Sequence, residues 1–328
     1  MPPELRNKVL KAFAEQTVFF PSYQFAYSQL HKAMEATELR KTASCAFLIG
    51  RSGSGKSRLC ELFIDAFGPP HEEPCEGGVI KIIPALYCLV PAPVTIKGIC
   101  ITLLKELGVY APHPNVHALN VLLVERLKKC RVKVLILDEI QRLLKPDAEK
   151  ARDVTLDWLV ALLTISGIPI MLSGTEECES LLKDAGGQSP FTRRYCYSAR
   201  LEHFQFSELA NSDYYLTLKG LDQQLYRLAN FTGDIHLQDL SIMAPLYVAS
   251  VGNLEYLRQI IHEAASIALT RTPHALKRVD FVDACCCLTL PKNLKKSSNP
   301  FNLSLSESLE LIEKYNDEQA YLRSHPAR

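Results

Sequence analysis

The sequence has almost no net charge and no long apolar run. Its 37 Lys and Arg residues nearly balance its 36 Asp and Glu residues, which leaves a formal net charge of +1 at pH 7. No overall basic field attracts the chain to nucleic acid, so any contact with DNA has to come from a local patch. No apolar run approaches the roughly 18 residues of a membrane span, and the first residues lack the hydrophobic region of a signal peptide. We therefore expect a cytoplasmic protein with no membrane partner.

The cysteines lack the spacing of a metal or disulfide framework. There are 11 of them, an odd number, and no C-x-x-C pair occurs. Cys45 and Cys88 lie in apolar segments, where a free cysteine behaves as a small hydrophobe. The adjacent cysteines at 285–287 cannot all ligate one tetrahedral ion without strain. The thiols favour a reducing compartment, and we expect no zinc site.

A glycine-rich segment at residues 50–57 follows an apolar run and precedes an amphipathic one. Its sequence, GRSGSGKS, fits the phosphate-binding pattern G-x-x-x-x-G-K-[ST]. Glycines let backbone N–H groups turn inward around phosphates, and the N-terminus of the next helix adds the positive end of its dipole. We expect Lys56 to reach the β- and γ-phosphates of ATP, and the Ser57 hydroxyl to ligate Mg²⁺. The candidate nucleotide-binding residues are Gly50, Ser52, Gly53, Ser54, Gly55, Lys56, Ser57 and Arg58.

A second motif argues against a chance Gly/Ser turn at this position. Residues 132–139, VKVLILDE, form a nearly continuous aliphatic run that ends in two carboxylates. Such a run is typical of a strand buried on both faces of a parallel sheet. We expect Asp138 to hold Mg²⁺, usually through water, and Glu139 to orient and polarise the attacking water. Together the two motifs predict a chain that binds and hydrolyses a nucleoside triphosphate.

The succession of helix and strand signals divides the chain into four parts. Strands and helices alternate up to about residue 205, and only helical segments follow. The predicted fold class is α/β, a parallel sheet flanked by helices, followed by an all-α lid. The predicted parts are a helical segment at 1–42, a nucleotide-binding domain at 43–205, the lid at 206–290, and a linker with a tail helix at 291–328.

Two of the connections carry predictions of their own. The Gly- and Pro-rich stretch 68–74 is interpreted as an exposed loop, and the next strand is placed within 79–90. A charged, Ser- and Asn-rich linker is predicted at 292–299, with an amphipathic helix at 304–323. This tethered helix is either an intramolecular cap, the favoured reading, or a peptide for a partner protein.

The order of the motifs resembles that of AAA+ ATPases of the initiator-like branch, with a P-loop NTPase core and a helical lid. The resemblance implies that the residue closing the strand after Glu139, Ser173 or preferably Thr175, orients the attacking water. It also implies that an arginine before the last strand, Arg194 first and Arg193 second, reaches the ATP of a neighbouring subunit and stabilises the transition state. Two surface arginines on a loop are the alternative.

Four stretches narrow the resemblance to the TniB/TnsC-type regulators of bacterial transposition, as in Tn-seven-like and CRISPR-associated transposons. The similarity covers roughly residues 25–290. The stretches are LILDEIQRL at 135–143, IPIMLSGT at 168–175, FTRRY at 191–195 and GNLEYL at 252–257.

One position in the last stretch departs from that family. The family's lid usually carries Gly-Arg here, with the arginine acting as a sensor of the γ-phosphate, whereas this chain has Gly252 followed by Asn253. A neutral amide cannot supply that charge. Either Arg258 substitutes for it, or hydrolysis is slower and depends more on partners.

The resemblance implies a regulator that neither cuts nor joins DNA. With ATP it would assemble on double-stranded DNA as a homo-oligomeric ring or helical filament of roughly six to seven subunits per turn. It would link a TniQ-like target-selecting protein to the transposase, and hydrolysis would dismantle it. DNA contact is expected in the stretch 91–97, with Lys97 as the candidate phosphate contact and Thr95 as a hydroxyl donor beside it.

Two other functions remain open. One is a different AAA+ switch, such as a signalling or defence ATPase, and the other is a helicase-loader-like ATPase that acts on a protein ring. Neither acts on duplex DNA. Stimulation by duplex DNA therefore distinguishes the transposition regulator from both.

Overall fold

The computed structural model describes two compact units. One consists of residues 22–202, and the other combines residues 1–21 with those from 203 onward. We call them the sheet unit and the helical unit. The described residues are 1–75, 78–110, 115–183, 189–291 and 299–325.

A five-stranded parallel sheet forms the centre of the sheet unit, and a separate two-stranded hairpin accompanies it. The sheet order is β4-β5-β6-β1-β7, and all neighbouring strands in it are parallel. This arrangement confirms the predicted α/β fold class. The strands are β1 Ala46–Gly50, β2 His71–Cys75, β3 Gly78–Ile82, β4 Ala85–Leu89, β5 Val134–Asp138, β6 Ile170–Gly174 and β7 Tyr197–Leu201.

The helices account for most of the remaining described chain. Those from α2 to α8 belong to the sheet unit, and α1 and α9 to α13 belong to the helical unit. Among the described residues, no helix combines the length and the apolarity that a membrane crossing requires. The helices are α1 Pro3–Glu15, α2 Pro21–Arg40, α3 Lys56–Asp65, α4 Ile96–Glu106, α5 Val116–Lys129, α6 Glu149–Ser166, α7 Glu179–Lys183, α8 Pro190–Arg194, α9 Asp213–Ala229, α10 Leu240–Ser250, α11 Leu254–Ala268, α12 Arg278–Cys287 and α13 Leu305–Ser324.

The three inner strands explain why the sequence predicted a parallel sheet. All five residues of β1, β5 and β6 are buried, because helices cover both faces of the sheet. The five strands begin at one end of the sheet, which we call the amino end, and finish at the other, the carboxyl end. The glycine-rich loop, Asp138 and the end of β6 consequently meet at the carboxyl end.

The stretch predicted as an exposed loop at 68–74 contains strand β2 instead. It pairs in antiparallel fashion with β3, from His71 opposite Ile82 to Cys75 opposite Gly78. The prolines of this stretch led to the prediction of a loop, because proline is rare in strands. Pro74 is nevertheless tolerated here, since each strand of a two-stranded hairpin has one edge that needs no backbone N–H donor. The predicted strand within 79–90 is divided between β3 and β4.

The N-terminal segment predicted at 1–42 is divided near Pro21. Helix α1 packs against α9 and α11 in the helical unit. Helix α2 belongs to the sheet unit, where the rings of Tyr27 and His31 lie 5.9 and 5.0 Å from that of Phe63 on α3. The sheet unit consequently begins at residue 22 and ends at 202, whereas the sequence placed these boundaries at 43 and 205.

The predicted C-terminal helix is α13, which packs against α10 within the helical unit. Ser304 caps it and forms a capping box with Glu307. Ser308 and Ile312 are buried, whereas Tyr321 and Leu322 near its end are 63% and 57% exposed. The linker predicted before this helix lies largely outside the described residues.

Candidate active site

The glycine-rich loop connects the end of β1 to the start of α3. Gly53 and Gly55 have φ angles of 76° and 91°, in the left-handed region that favours glycine. At Gly50 a Cβ atom would lie 2.1 Å from the Leu201 carbonyl oxygen, so only glycine permits the close approach of β1 and β7. The loop therefore takes the compact form that its sequence pattern predicts.

Lys56 folds its side chain back into this loop. Its Nζ donates hydrogen bonds to the carbonyl oxygens of Gly50, at 2.8 Å, and Arg51, at 2.9 Å. Burial lowers the pKa of Lys56, and the nearby carboxylates of Asp138 and Glu139 oppose that shift. The ammonium group is thus a buried cation beside the two acids, which is where a phosphate chain requires one.

Asp138 is held by three hydrogen bonds. Its Oδ2 accepts from the Ser57 hydroxyl at 2.7 Å and from the Tyr87 hydroxyl at 2.7 Å, while its Oδ1 accepts from the Glu139 backbone N–H at 2.8 Å. The carboxylate is 1% exposed, and a buried charge requires such partners. Hydroxyl and carboxylate oxygens are the ligands that Mg²⁺ prefers, so Ser57 and Asp138 fit the predicted metal role.

Tyr87 is a member of this site that the sequence analysis missed. It lies on β4 opposite Ile136 of β5, and its side chain therefore projects from the same face of the sheet as Asp138. Burial, and next to it the hydrogen bond to Asp138, raises the pKa of the Tyr87 phenol. Its phenol stays protonated and donates to the Asp138 carboxylate.

Glu139 and Thr175 follow the neighbouring strands β5 and β6 at the carboxyl end of the sheet, and Gln141 links them. Glu139 has a φ angle of 65°, an uncommon conformation for a residue other than glycine. Its Oε2 accepts a hydrogen bond from Gln141 Nε2 at 2.8 Å, and Gln141 Oε1 accepts one from the Thr175 backbone N–H at 3.3 Å. Gln141 is the second contributor that the sequence analysis did not identify.

Three buried hydroxyl groups, those of Ser54, Ser173 and Thr175, lie at this end of the sheet. Within the part of the chain that the structure describes, no oxygen or nitrogen atom bonds to them, and only weakly bonding thiols, those of Cys60 and Cys178, adjoin the hydroxyls of Ser173 and Thr175. A buried polar group without a partner is costly in a native protein. The Ser54 hydroxyl, which lies in the glycine-rich loop, and the Lys56 cation fit a triphosphate with its metal ion. Of the two sensor candidates, Ser173 is fully buried and Thr175 half-buried.

The arginine pair lies at the opposite end of the sheet. The carbonyl oxygen of Arg194 accepts a hydrogen bond from the Cys45 N–H, just before β1 begins. One guanidinium nitrogen of Arg194 is 3.4 Å from the Ala43 carbonyl oxygen. Arg193 is exposed, and its guanidinium has no ion pair or side-chain hydrogen bond among the described residues.

The residues predicted to contact DNA lie at the start of α4. Thr95 caps this helix, and its hydroxyl accepts a hydrogen bond from the Gly98 N–H at 2.9 Å. Lys97 is exposed in the first turn. The loop before α4 follows β4, so both residues lie at the carboxyl end of the sheet. Lys81, Lys128 and Lys129 are exposed near the amino end, before β4 and β5 begin.

Asn253 and Arg258, the two lid residues considered for sensing the γ-phosphate, both form hydrogen bonds within the helical unit. Asn253 caps α11, and its side-chain oxygen accepts hydrogen bonds from the N–H groups of Glu255 and Tyr256. Arg258 donates to the carbonyl oxygens of Ala14 and Gln16, at 2.7 and 2.8 Å. Both side chains therefore stabilise the helical unit.

A comparison with protein families identifies the sheet unit. Residues 39–182 match the model of the AAA domain, and the P-loop, the Asp138–Glu139 pair and the parallel sheet all lie within or beside this range. These features indicate an ATPase with the AAA+ P-loop fold. No curated protein sequence matches the chain.

Solved structures agree with this fold at low sequence identity. The Orc1 protein of Aeropyrum pernix in complex with DNA is 17% identical, with a TM-score of 0.51 over 79% of this chain and 64% of that one. The ORC2 protein of the same organism, with ADPNP and ADP, is 16% identical, with a TM-score of 0.57 over 80% of this chain and 66% of that one. The chain thus spans slightly less than two thirds of either protein. Drosophila ORC bound to DNA is 13% identical, with a TM-score of 0.56 over 96% of this chain and 79% of that one.

Proposed function

We propose that this protein is an ATP-dependent regulator of DNA transposition that oligomerises on duplex DNA. The proposal rests on the TniB/TnsC-like stretches and on the carboxyl end of the sheet, where the ATP site and the exposed start of α4 lie side by side. The observation that carries it is topological: Lys97, an exposed cation, lies in the first turn of the helix after β4, and β4 pairs with the strand that ends in Asp138. Nucleotide state and DNA contact can therefore influence each other over a short path.

The residues to which we assign ATP binding and hydrolysis lie at the carboxyl end of the sheet. Lys56 and the N–H groups of the loop would bind the phosphates, and Ser57 and Asp138 would hold Mg²⁺, which would neutralise charge that develops on the phosphates. Glu139 would orient and polarise the attacking water, with the Thr175 hydroxyl as its second contact. Tyr87 would keep Asp138 aimed at the metal position.

An arginine finger in this chain would have to act on a neighbouring subunit. The arginine pair lies where β1 begins, and the P-loop lies where β1 ends, after a five-residue strand that spans roughly 16 Å. An arginine side chain cannot cover that distance through a packed sheet. Arg193, the second choice from sequence, is the more accessible of the two, since Arg194 already contacts the Ala43 carbonyl. We therefore propose Arg193 as the finger and Arg194 as its support.

DNA binding would rely on few contacts per subunit. Lys97 would meet a phosphate, the first N–H groups of α4 would add donors, and Thr95 would both cap the helix and offer its hydroxyl proton. A chain of net charge +1 can hold DNA in this way when many subunits bind together. Two of the solved structures similar in fold, Orc1 of A. pernix and Drosophila ORC, contain DNA.

The proposed role in transposition implies two protein partners. We propose a transposase and a TniQ-like target-selecting protein as the two proteins that the assembly connects. The half-exposed end of α13 is an available surface for such a contact. The Asn253 substitution and the engaged Arg258 both predict that hydrolysis by the protein alone is slow.

Electron microscopy of the purified protein with duplex DNA tests the proposal. We expect rings or filaments on DNA with a slowly hydrolysed ATP analogue and their loss with ADP. Oligomers that form equally well without DNA would favour a signalling switch. Absence of DNA-bound oligomers, combined with binding to a helicase ring, would favour a loader.

A further inference from the structure

The side chain of Gln141 bridges two groups of the ATPase site without belonging to the phosphate or metal ligands. It lies in the short 3-10 turn Ile140–Leu144 that follows Glu139. Its Nε2 donates to Glu139 Oε2 at 2.8 Å, and its Oε1 accepts from the Thr175 N–H at 3.3 Å. It therefore joins the carboxylate to which we assign the attacking water to the residue that follows β6.

The two contacts leave the amide one orientation. A reversed amide would turn its oxygen toward the carboxylate and its NH₂ group toward the Thr175 N–H, so that both pairs would repel. The bond to Glu139 is charge-assisted, which makes it the stronger of the two. Gln141 can thus hold the carboxylate in one rotamer as long as the Thr175 backbone stays in place.

The surroundings fit this arrangement closely. A Cβ atom at Gly174 would lie 3.1 Å from Gln141 Oε1 and 2.7 Å from the Cγ2 atom of Ile140, so the end of β6 needs a residue without a side chain. Ile140 and Leu143 are fully buried and fix the turn to the core. The amide is consequently held between a rigid turn and a rigid strand end.

We propose that Gln141 is a positioning residue that sets the Glu139 carboxylate relative to Thr175. The two groups that face the attacking water then keep one mutual geometry, and a displacement of the β6 end is passed to the carboxylate. The inference rests on the ATPase activity and is independent of DNA and of any transposition partner.

The test compares Gln141→Met with the wild-type protein. Methionine has nearly the same volume and length but makes neither hydrogen bond. We expect kcat to fall about 10-fold or more, because a small displacement of a reacting group costs that much. The KM for ATP and the affinity for a slowly hydrolysed analogue should change less than about 2-fold, because the described hydrogen bonds of the Gln141 side chain go to Glu139 and Thr175 and to no phosphate-binding group.

Arg142→Met is the matched control on the same turn. The Arg142 side chain donates to the Val90 carbonyl oxygen. Its backbone N–H, which the substitution retains, donates to the Glu139 carbonyl oxygen, so the variant leaves the Glu139 carboxylate and its bond to Gln141 in place. If Gln141 acts through Glu139, only Gln141→Met lowers kcat strongly. An equal loss in Arg142→Met would mean that the turn as a whole is structural, and would overturn the proposal.

A double variant tests independently whether Gln141 acts through Glu139. In a Glu139→Gln background, Gln141→Met should change the residual rate less than about 2-fold, because the group that it positions has lost its function. Multiplied losses would contradict the proposal. If Gln141→Met does not fold, as judged by thermal melting, Gln141→Asn replaces it in both comparisons with the same expected results. Wild-type hydrolysis with unchanged kinetics in these variants would overturn this inference and leave the proposed function intact.

Discussion

The two ends of the parallel sheet carry the residues to which we assign different parts of one reaction. At the carboxyl end, Lys56, Asp138 and Glu139 form the candidate ATPase site. At the amino end, Arg193 and Arg194 lie beside the start of β1. The proposed finger, at the far end of its own sheet, could complete only the site of a second copy, and a head-to-tail contact of this kind generates rings or filaments.

The largest effect should come from removing the cation of the carboxyl end. Lys56→Ala should lower ATP affinity at least about 100-fold, because it removes a charge-assisted contact to the phosphates and leaves the buried acids without a cation. Titration with a fluorescent ATP analogue measures this. Lys97→Ala, an exposed lysine at the same end, is the control and should keep wild-type affinity. Retained affinity in Lys56→Ala would remove the lysine from the phosphate site.

Substitutions of the arginines at the amino end should lower the rate of ATP hydrolysis and leave the affinity for ATP unchanged. Arg193→Ala should lower the ATPase rate of the assembled protein about 1,000-fold, the usual contribution of an arginine finger, and Arg194→Ala should lower it less. Steady-state hydrolysis at high protein concentration measures the rate, and analogue titration of the monomer measures the affinity. Arg131→Ala, an exposed arginine near the same end, should behave as wild type. Weaker monomer binding in Arg193→Ala would make that arginine a structural residue.

Glu139→Gln separates binding from chemistry at the carboxyl end. It should bind ATP normally and lower kcat about 100-fold or more, because the amide cannot polarise the attacking water. Assemblies should then persist in ATP, which light scattering detects. Glu61→Gln, on the exposed face of α3, is the matched control. Disassembly at the wild-type rate in Glu139→Gln would exclude Glu139 from its assigned role.

Tyr87→Phe tests the missed donor to Asp138. The variant loses one hydrogen bond to a buried carboxylate, which is worth about 1.5 kcal/mol, so the Mg²⁺ concentration at half-maximal ATPase rate should rise about 10-fold. Tyr110→Phe removes an equivalent hydroxyl from a residue that is 90% exposed and should have no effect. An unchanged Mg²⁺ requirement in Tyr87→Phe would mean that the phenol is dispensable.

The smallest effect should be on the affinity for duplex DNA. It is tested by comparing a lysine at the carboxyl end with one at the amino end. Lys97→Ala should weaken binding to duplex DNA without sequence preference and reduce the slope of log affinity against log salt by about 0.9 per lost contact. Fluorescence anisotropy over a salt series measures the slope. Lys128→Ala, at the amino end, should leave it unchanged. Equal effects of both variants would mean that the carboxyl end has no special role in DNA binding.

The sequence predicted the glycine-rich loop and the buried strand before Asp138 because local patterns determine both elements. The glycine-rich loop and the aliphatic run that ends in Asp138 and Glu139 each carry their structural meaning within eight residues. The parallel sheet followed from the same runs, since strands buried on both faces contain few polar residues.

What the sequence could not predict depends on which strands and turns become neighbours. Tyr87 reaches Asp138 only because β4 pairs with β5 in one particular register. Gln141 lay within a recognised stretch, yet its role depends on a 3-10 turn that brings its amide between Glu139 and Thr175. Strand β2 escaped detection because its partner, and not its composition, makes it a strand. The division at Pro21 likewise depends on which neighbours α1 and α2 pack against.

A mixing experiment tests the central claim most directly. The Arg193→Ala/Arg194→Ala variant keeps an intact P-loop site, and Glu139→Gln keeps intact arginines, so each alone should hydrolyse ATP very slowly. If the arginines act on a neighbouring subunit, mixtures of the two with ATP and duplex DNA should hydrolyse ATP well above the sum of the separate rates. A mixture whose rate equals that sum would contradict a site shared between subunits.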